Sequence, residues 1–240
     1  MGKKVHPTSI RLGINEEWLG HWFSKINKGG LREYKNNLRE DLLIRSYLKN
    51  ALKNAAVERV EIKRSPQQVN IVIHSARPGL IIGKSGRDID KLKKEIGELV
   101  FSKKDIGNLV FSEKNINKPF SSKKSIKIDI EEVRKPDTHS QLVARSIAEQ
   151  LEKRFPYRRV MKKTLEKIIL DKELKGVKIR LAGRLNGAEI ARCEWLSKGK
   201  IPLQTLSAKI DFAQEVAFTT YGTIGIKVWI HKEKSQNISF

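Results

Sequence analysis

Ile81-Ile82-Gly83-Lys84-Ser85-Gly86-Arg87 sets two glycines around a lysine and a serine, between an apolar run and a lysine-bearing helical pattern. Glycine has no Cβ to hold another backbone away, so a G-x-x-G turn lies flush against a sugar-phosphate strand while neighbouring cations neutralise it. Gly83, Lys84, Ser85, Gly86 and Arg87 are therefore candidate RNA contacts. Two other readings compete. Gly-Lys-Ser also ends the phosphate-binding pattern G-x-x-x-x-G-K-[ST], which would make Lys84 and Ser85 part of a nucleotide hydrolase. Here the position that needs glycine is Pro78, Gly79 is one residue too close, and the interior Leu80-Ile81-Ile82 is apolar. The plainer alternative is an ordinary strand-to-helix turn.

The flanking sequence gives this turn a setting. From about Leu38, the residues Ile44, Leu48, Ala51, Leu52 and Ala55 recur on one side of a helix. Val60 and Ile62 then alternate with charged neighbours, and Val69, Ile71 and Ile73 alternate after Ser65-Pro66, which predicts two half-buried strands. Beyond Gly86, Ile89, Leu92 and Ile96 return to helical spacing, and Ile126, Ile128 and Ile130 predict a third strand. The polar stretch 99–125, in which Leu99-Val100-Phe101-Ser102 is echoed by Leu109-Val110-Phe111-Ser112, reads as an expanded loop. Residues 38–135 thus form one module, preceded by a basic and aromatic arm at 1–37 that is too short to bury a core alone.

Residues 136–240 read as a second domain, α+β in class, with two helices on an antiparallel sheet. Thr138 with Gln141 has capping-box spacing before a helix carrying Val143, Ile147 and Leu151. A second helix runs from about Tyr157 to Leu170. Val177-Ile179-Leu181, Ile210-Phe212, Val216-Phe218 and Ile226-Val228-Ile230 predict strands, while Asn186 with Glu189 suggests a short helix reaching Trp195. Trp195, Tyr221 and Trp229 are expected in the core.

Composition narrows the function. The 240 residues hold 49 Lys and Arg against 27 Asp and Glu, a formal charge of +22 that calls for a polyanionic partner. The densest cationic group is Arg154, Arg158, Arg159, Lys162 and Lys163. On a helix from Tyr157, residues 158, 159, 162, 163 and 167 share one half of the circumference, and Val160, Met161, Leu165 and Ile168 share the other. Glu166 is the sole acid in that stretch, so a phosphate backbone is the favoured partner and a solvated basic face the alternative. Arg180, Arg184 and Arg192 extend the positive surface. Cys193 is the only cysteine and the five histidines lack ligand spacing, so neither a disulfide, a metal nor a cofactor is expected. No apolar run has membrane-spanning length, and the amino terminus lacks the core of a signal peptide, so the chain is expected to begin at its functional start.

The order of motifs along the chain resembles a known family. The module around Ile82-Gly83-Lys84-Ser85-Gly86 is similar to a type II KH domain, with a three-stranded sheet and helices. The whole chain resembles the third protein of the small ribosomal subunit in its bacterial and plastid form. The resemblance is carried by Met1-Gly2-Lys3-Lys4-Val5-His6-Pro7, Ile10-Arg11-Leu12-Gly13, His74-Ser75-Ala76-Arg77-Pro78-Gly79 and Glu132-Val133-Arg134-Lys135-Pro136. Two further segments, Gly183 to Arg192 and Thr219 to Ile230, complete it. It implies a non-catalytic constituent of the subunit head that binds ribosomal RNA and lines the channel through which messenger RNA enters. Arg158, Arg159, Lys162 and Lys163 occupy the positions of the family's messenger-holding helix. Lys3, Lys4, Arg11, Arg184 and Arg192 become candidate ribosomal RNA contacts, and the tenth and fourteenth small-subunit proteins become neighbours. The long 99–125 loop, the Lys, Ile and Asn usage and the short ending after Trp229 are similar to plastid-encoded members, pointing to a chloroplast with bacterial cytoplasm as the alternative. A free KH-domain regulator reading short single-stranded sites is the competing function.

Overall fold

The computed structural model describes residues 4–25, 27–65, 67–101, 125–171 and 173–233. Lys3 and most of the expected 99–125 loop lie outside the described residues. The chain divides into two compact units, Leu19–Val133 and a second made of Met1–Trp18 with Arg134–Phe240.

In the first unit, strand β1 (Gly20–His21) pairs parallel with β2 (Val57–Arg64), β2 pairs antiparallel with β3 (Gln68–Ser75), and β3 pairs parallel with β4 (Ser125–Glu132). Period-two alternation sends Ile62, Val69, Ile71, Ile73 and Ile126 to one face. There they meet Ile44 and Leu48 of helix α1 (Lys28–Ala51) and Leu92 and Ile96 of α3 (Arg87–Phe101). This is the α+β arrangement of a type II KH domain, with a two-residue strand added at its edge.

Helix α1 begins ten residues earlier than the apolar periodicity from Leu38 implies. Leu31, Tyr34 and Leu38 continue the spacing but face solvent. Asp41 anchors the helix, accepting from Arg64 Nε at 2.8 Å and from Trp22 Nε1 at 2.8 Å. The opposite face of the sheet sets charged pairs around the buried Val72: Lys127 lies 3.0 Å from Asp129, and Arg59 lies 3.1 Å from Glu61.

The second unit is an antiparallel sheet in the order β6-β5-β8-β7. Its strands are β5 (Leu174–Gly183), β6 (Arg192–Gly199), β7 (Lys209–Thr219) and β8 (Gly222–Lys232). Helix α4 (Ser140–Glu152) lies on β7 and β8, and α5 (Tyr157–Ile169) on β5 and β6. Ile147, Leu151, Met161 and Ile168 of the helices close on Val177, Ile179, Ile226 and Val228.

Several local expectations change here. No helix runs from Asn186 to Trp195: Arg192–Gly199 is strand β6, because Glu194 and Leu196 alternate with exposed neighbours and the strand pairs along its whole length with Gly176–Gly183 of β5. Asn186 sits in a three-residue 3-10 turn with φ +55. The two short strands expected around Ile210 and Val216 are one strand, β7. Glu215 interrupts the apolar pattern on its core face and is satisfied by Gln141 Nε2. That use of Gln141 also removes the expected capping box. Asp211 caps α4 instead, accepting from Ser140 N at 2.9 Å and Ser140 Oγ at 2.7 Å.

The arm expected at 1–37 is divided between the two units. Residues up to Trp18 join the second unit, where Arg11 is 0% exposed. Its guanidinium donates to the carbonyls of Pro7 (2.8 Å), Ala208 (2.9 Å), Leu203 (3.0 Å) and Thr205 (3.0 Å). A segment too short for its own core is thereby ordered by an arginine that completes the Pro202–Ala208 loop.

Candidate nucleic-acid interface

In the first unit, the one-turn helix α2 (Gly79–Ile82) feeds a 3-10 turn, Lys84–Gly86, which runs directly into α3. Ile81 is fully buried, so the stretch a nucleotide hydrolase would wrap around phosphate belongs to the core. Gly83 has φ +69 and ψ −175, a backbone region essentially restricted to glycine, and a Cβ there would sit 2.0 Å from the Asp88 carboxylate. Lys84 and Arg87 are exposed on the turn. Asp88 and Asp90 occupy the first turn of α3, so its positive end already faces the protein's own carboxylates. The turn presents backbone and two cations, and lacks the free helix terminus that a nucleotide pyrophosphate needs.

In the second unit, α5 has the two faces its spacing predicts. Tyr157, Val160, Met161, Leu165 and Ile168 are buried, while Arg158, Arg159, Lys162 and Lys163 are exposed. Pro156 precedes the helix, no acid stands in its first turn, and its leading N–H groups lack intrahelical acceptors. The helix dipole therefore adds to the cationic field.

Arg158 is partly compensated, with Nη2 3.6 Å from Glu194, and Lys167 pairs with Asp137 at 2.7 Å. Among the described residues Arg159, Lys162 and Lys163 have no acidic partner. Tyr157 OH donates to Glu194 at 2.7 Å and, with Arg158, holds that carboxyl below its ordinary pKa. Glu194 thus remains ionised at neutral pH, and this local support for Arg158 weakens only as acid protonates it.

The remaining predicted contacts fare differently. Lys4 and Arg192 are exposed. Arg11 is not available to RNA, since burial leaves its guanidinium facing main-chain carbonyls. Arg184 is half-buried and bridges two loops, donating to Ala188 O at 2.9 Å and Tyr221 O at 3.1 Å. Arg154 follows the end of α4 in the left-handed region, with φ +63, and its side chain is exposed.

Sequence reasoning missed an aromatic and cationic group on the sheet face away from the helices. Trp195 is 57% exposed, contrary to the expected core position, and Lys178 Nζ stands 4.9 Å from its ring and 5.7 Å from that of Trp229. Trp229 is half-buried against Phe212. Tyr221, also expected in the core, is 57% exposed at the turn between β7 and β8. Strand parity was the available signal: Lys178, Trp195 and Trp229 all fall opposite to the Ile179, Leu196 and Val228 set. No cluster of three or more potential metal ligands occurs among the described residues.

Residues 43–138 match the family described as KH domain, and residues 147–230 match Ribosomal protein S3, C-terminal domain. The chain is 44% identical over 232 residues to the small ribosomal subunit protein uS3 of Saccharophagus degradans, spanning 97% of this chain and 91% of that one. The chain belongs to the uS3 family of small ribosomal subunit proteins. The uS3 of Idiomarina loihiensis is 43% identical, with 97% and 90% of the two chains covered. That of Xanthomonas oryzae pv. oryzae is 45% identical, with 97% and 84% covered. The G-x-x-G turn lies inside the KH match, and Arg154, all of α5, Arg184 and Arg192 lie inside the uS3 carboxy-terminal match.

Proposed function

We propose that the chain is a structural, non-catalytic constituent of the small-subunit head that binds ribosomal RNA and holds messenger RNA where it enters the ribosome. The cationic face of α5, on which Arg159, Lys162 and Lys163 have no acidic partner among the described residues, carries this reading. A helix with a packed apolar half, three free cations and an unopposed amino-terminal dipole is built to bear a polyanion. Because that grip is to phosphate, it tolerates any message sequence, as a channel wall must.

The glycine turn at Gly83 and Gly86, half-buried and flanked by the exposed Lys84 and Arg87, supports ribosomal RNA contact by the KH turn, to which Ser85 contributes its main chain. Lys4 and Arg192 would add peripheral phosphate contacts. The solvent-facing Leu31, Tyr34, Leu38 and Leu42 of α1 support a protein neighbour on that helix, for which the tenth and fourteenth small-subunit proteins are the candidates. The long 99–125 segment supports assembly in a chloroplast ribosome, while the compared relatives are bacterial.

Sedimentation of a native lysate through a gradient at moderate salt tests the assignment. The chain is expected with small subunits. Finding it chiefly at the top of the gradient, with intact subunits lacking it, would count against the proposal.

A further inference from the structure

A hollow of about 280 Å³ opens in the second unit where the α4–α5 corner meets the β7–β8 turn. Phe155 and Tyr221 line it, both about half exposed, and Arg154 and Arg184 supply its cations. Its volume falls just below the range usual for small-ligand sites, which suits a single base better than a folded ligand.

The wall is held in place before any ligand arrives. Arg184 fastens the Tyr221 carbonyl to the 185–188 turn, and a Cβ on Gly187 would lie 3.2 Å from the Tyr221 ring, so glycine lets the ring rest close against that turn. Three non-glycine residues among those described have positive φ, and two of them, Arg154 and Asn186, line this hollow. Both conformations fix turns that form its walls, Arg154 turning the chain out of α4 and Asn186 shaping the 185–187 turn.

We infer that the hollow receives one unpaired nucleobase of single-stranded RNA, stacked on Tyr221, with the adjoining phosphate at Arg154. The inference rests on the reading of α5 as an RNA-bearing face, because Tyr157 is shared by the hollow and the start of that helix. A strand tracking the cations of α5 passes the mouth of an aromatic slot. Every base offers a π-face, so the slot adds hold without sequence preference.

The test uses the full chain with two fluorescent twelve-residue probes: a single-stranded oligouridylate, and the same backbone carrying abasic riboses throughout. Tyr221→Ala is expected to weaken oligouridylate binding about tenfold and leave the abasic probe unchanged, with an unaltered salt slope, while Tyr221→Phe behaves as wild type. Near-ultraviolet circular dichroism checks that the variants keep their fold. Equal affinity of wild type and Tyr221→Ala for oligouridylate would overturn the inference. If the same variant instead loosened the chain from washed small subunits without affecting either probe, the hollow would belong to a protein neighbour, which also overturns it. The reading of α5 fails separately, by an unchanged salt slope when its own cations are reversed.

Discussion

Reversing Arg158, Arg159 and Lys162 to glutamate is expected to weaken binding of the full chain to single-stranded RNA at least a hundredfold at about 0.1 M salt. Each phosphate contact releases a counterion and contributes roughly 0.7 to the slope of log affinity against log salt on a single strand. Three lost contacts therefore flatten the slope by about two units, and near 0.1 M salt each is worth about fivefold. All three side chains are exposed, and Val160, Met161, Leu165 and Ile168 on the buried half of α5 are unchanged. Reversal at Arg159 and Lys162 should shift stability by no more than about 0.5 kcal/mol each, while Arg158 also gives up its pairing with Glu194, so a parallel urea unfolding curve separates lost binding from lost stability. Fluorescence anisotropy over a salt series reads both quantities. An unchanged slope would remove these residues from the interface.

The largest stability effect is expected at Arg11. Its guanidinium is wholly buried and holds carbonyls of Leu203, Thr205 and Ala208 to the segment around Pro7. Arg11→Ala strands those acceptors without water and should cost the second unit about 4 kcal/mol. Arg11→Lys should recover little, because an ammonium on a flexible stem cannot reproduce a planar fork reaching several carbonyls at once. Urea unfolding followed through tryptophan fluorescence measures the change. A loss below about 1 kcal/mol would mean that residues 4–18 contribute little to this unit.

The contrast between Arg11 and Arg159 shows what the sequence could convey. The bipartite face of α5 was legible because local periodicity fixes which side of a helix packs, and the protein interior honours that choice at Val160, Met161, Leu165 and Ile168. The strands flanking the G-x-x-G turn were legible for the same reason, with a period of two. Arg11 read as one more surface cation, since nothing near it in sequence announces that carbonyls almost two hundred residues away converge on it.

Long-range pairing also explains why the helix expected at 186–195 does not form. Asn186 and Glu189 carry a genuine capping signal, but the open edge of β5 offers a full ladder of hydrogen bonds to β6, and that outweighs a marginal local preference. Residue type alone points Trp195 and Tyr221 to the core. Alternation puts Trp195 on the outer face beside Lys178, and Tyr221 belongs to a turn where no second layer exists to cover it. The hollow at the α4–α5 corner was beyond sequence reasoning, because its walls come from three segments that only the folded sheet brings together.

Site-specific crosslinking from Lys163, in small subunits assembled with the chain and loaded with a defined message, tests the central claim most directly. A photoreactive group on that side chain should attach to the message ahead of the decoding position, and the yield should fall when the message is omitted or shortened so that it ends before reaching α5. Attachment to neighbouring proteins or ribosomal RNA alone, with none to message of any length, would contradict the account.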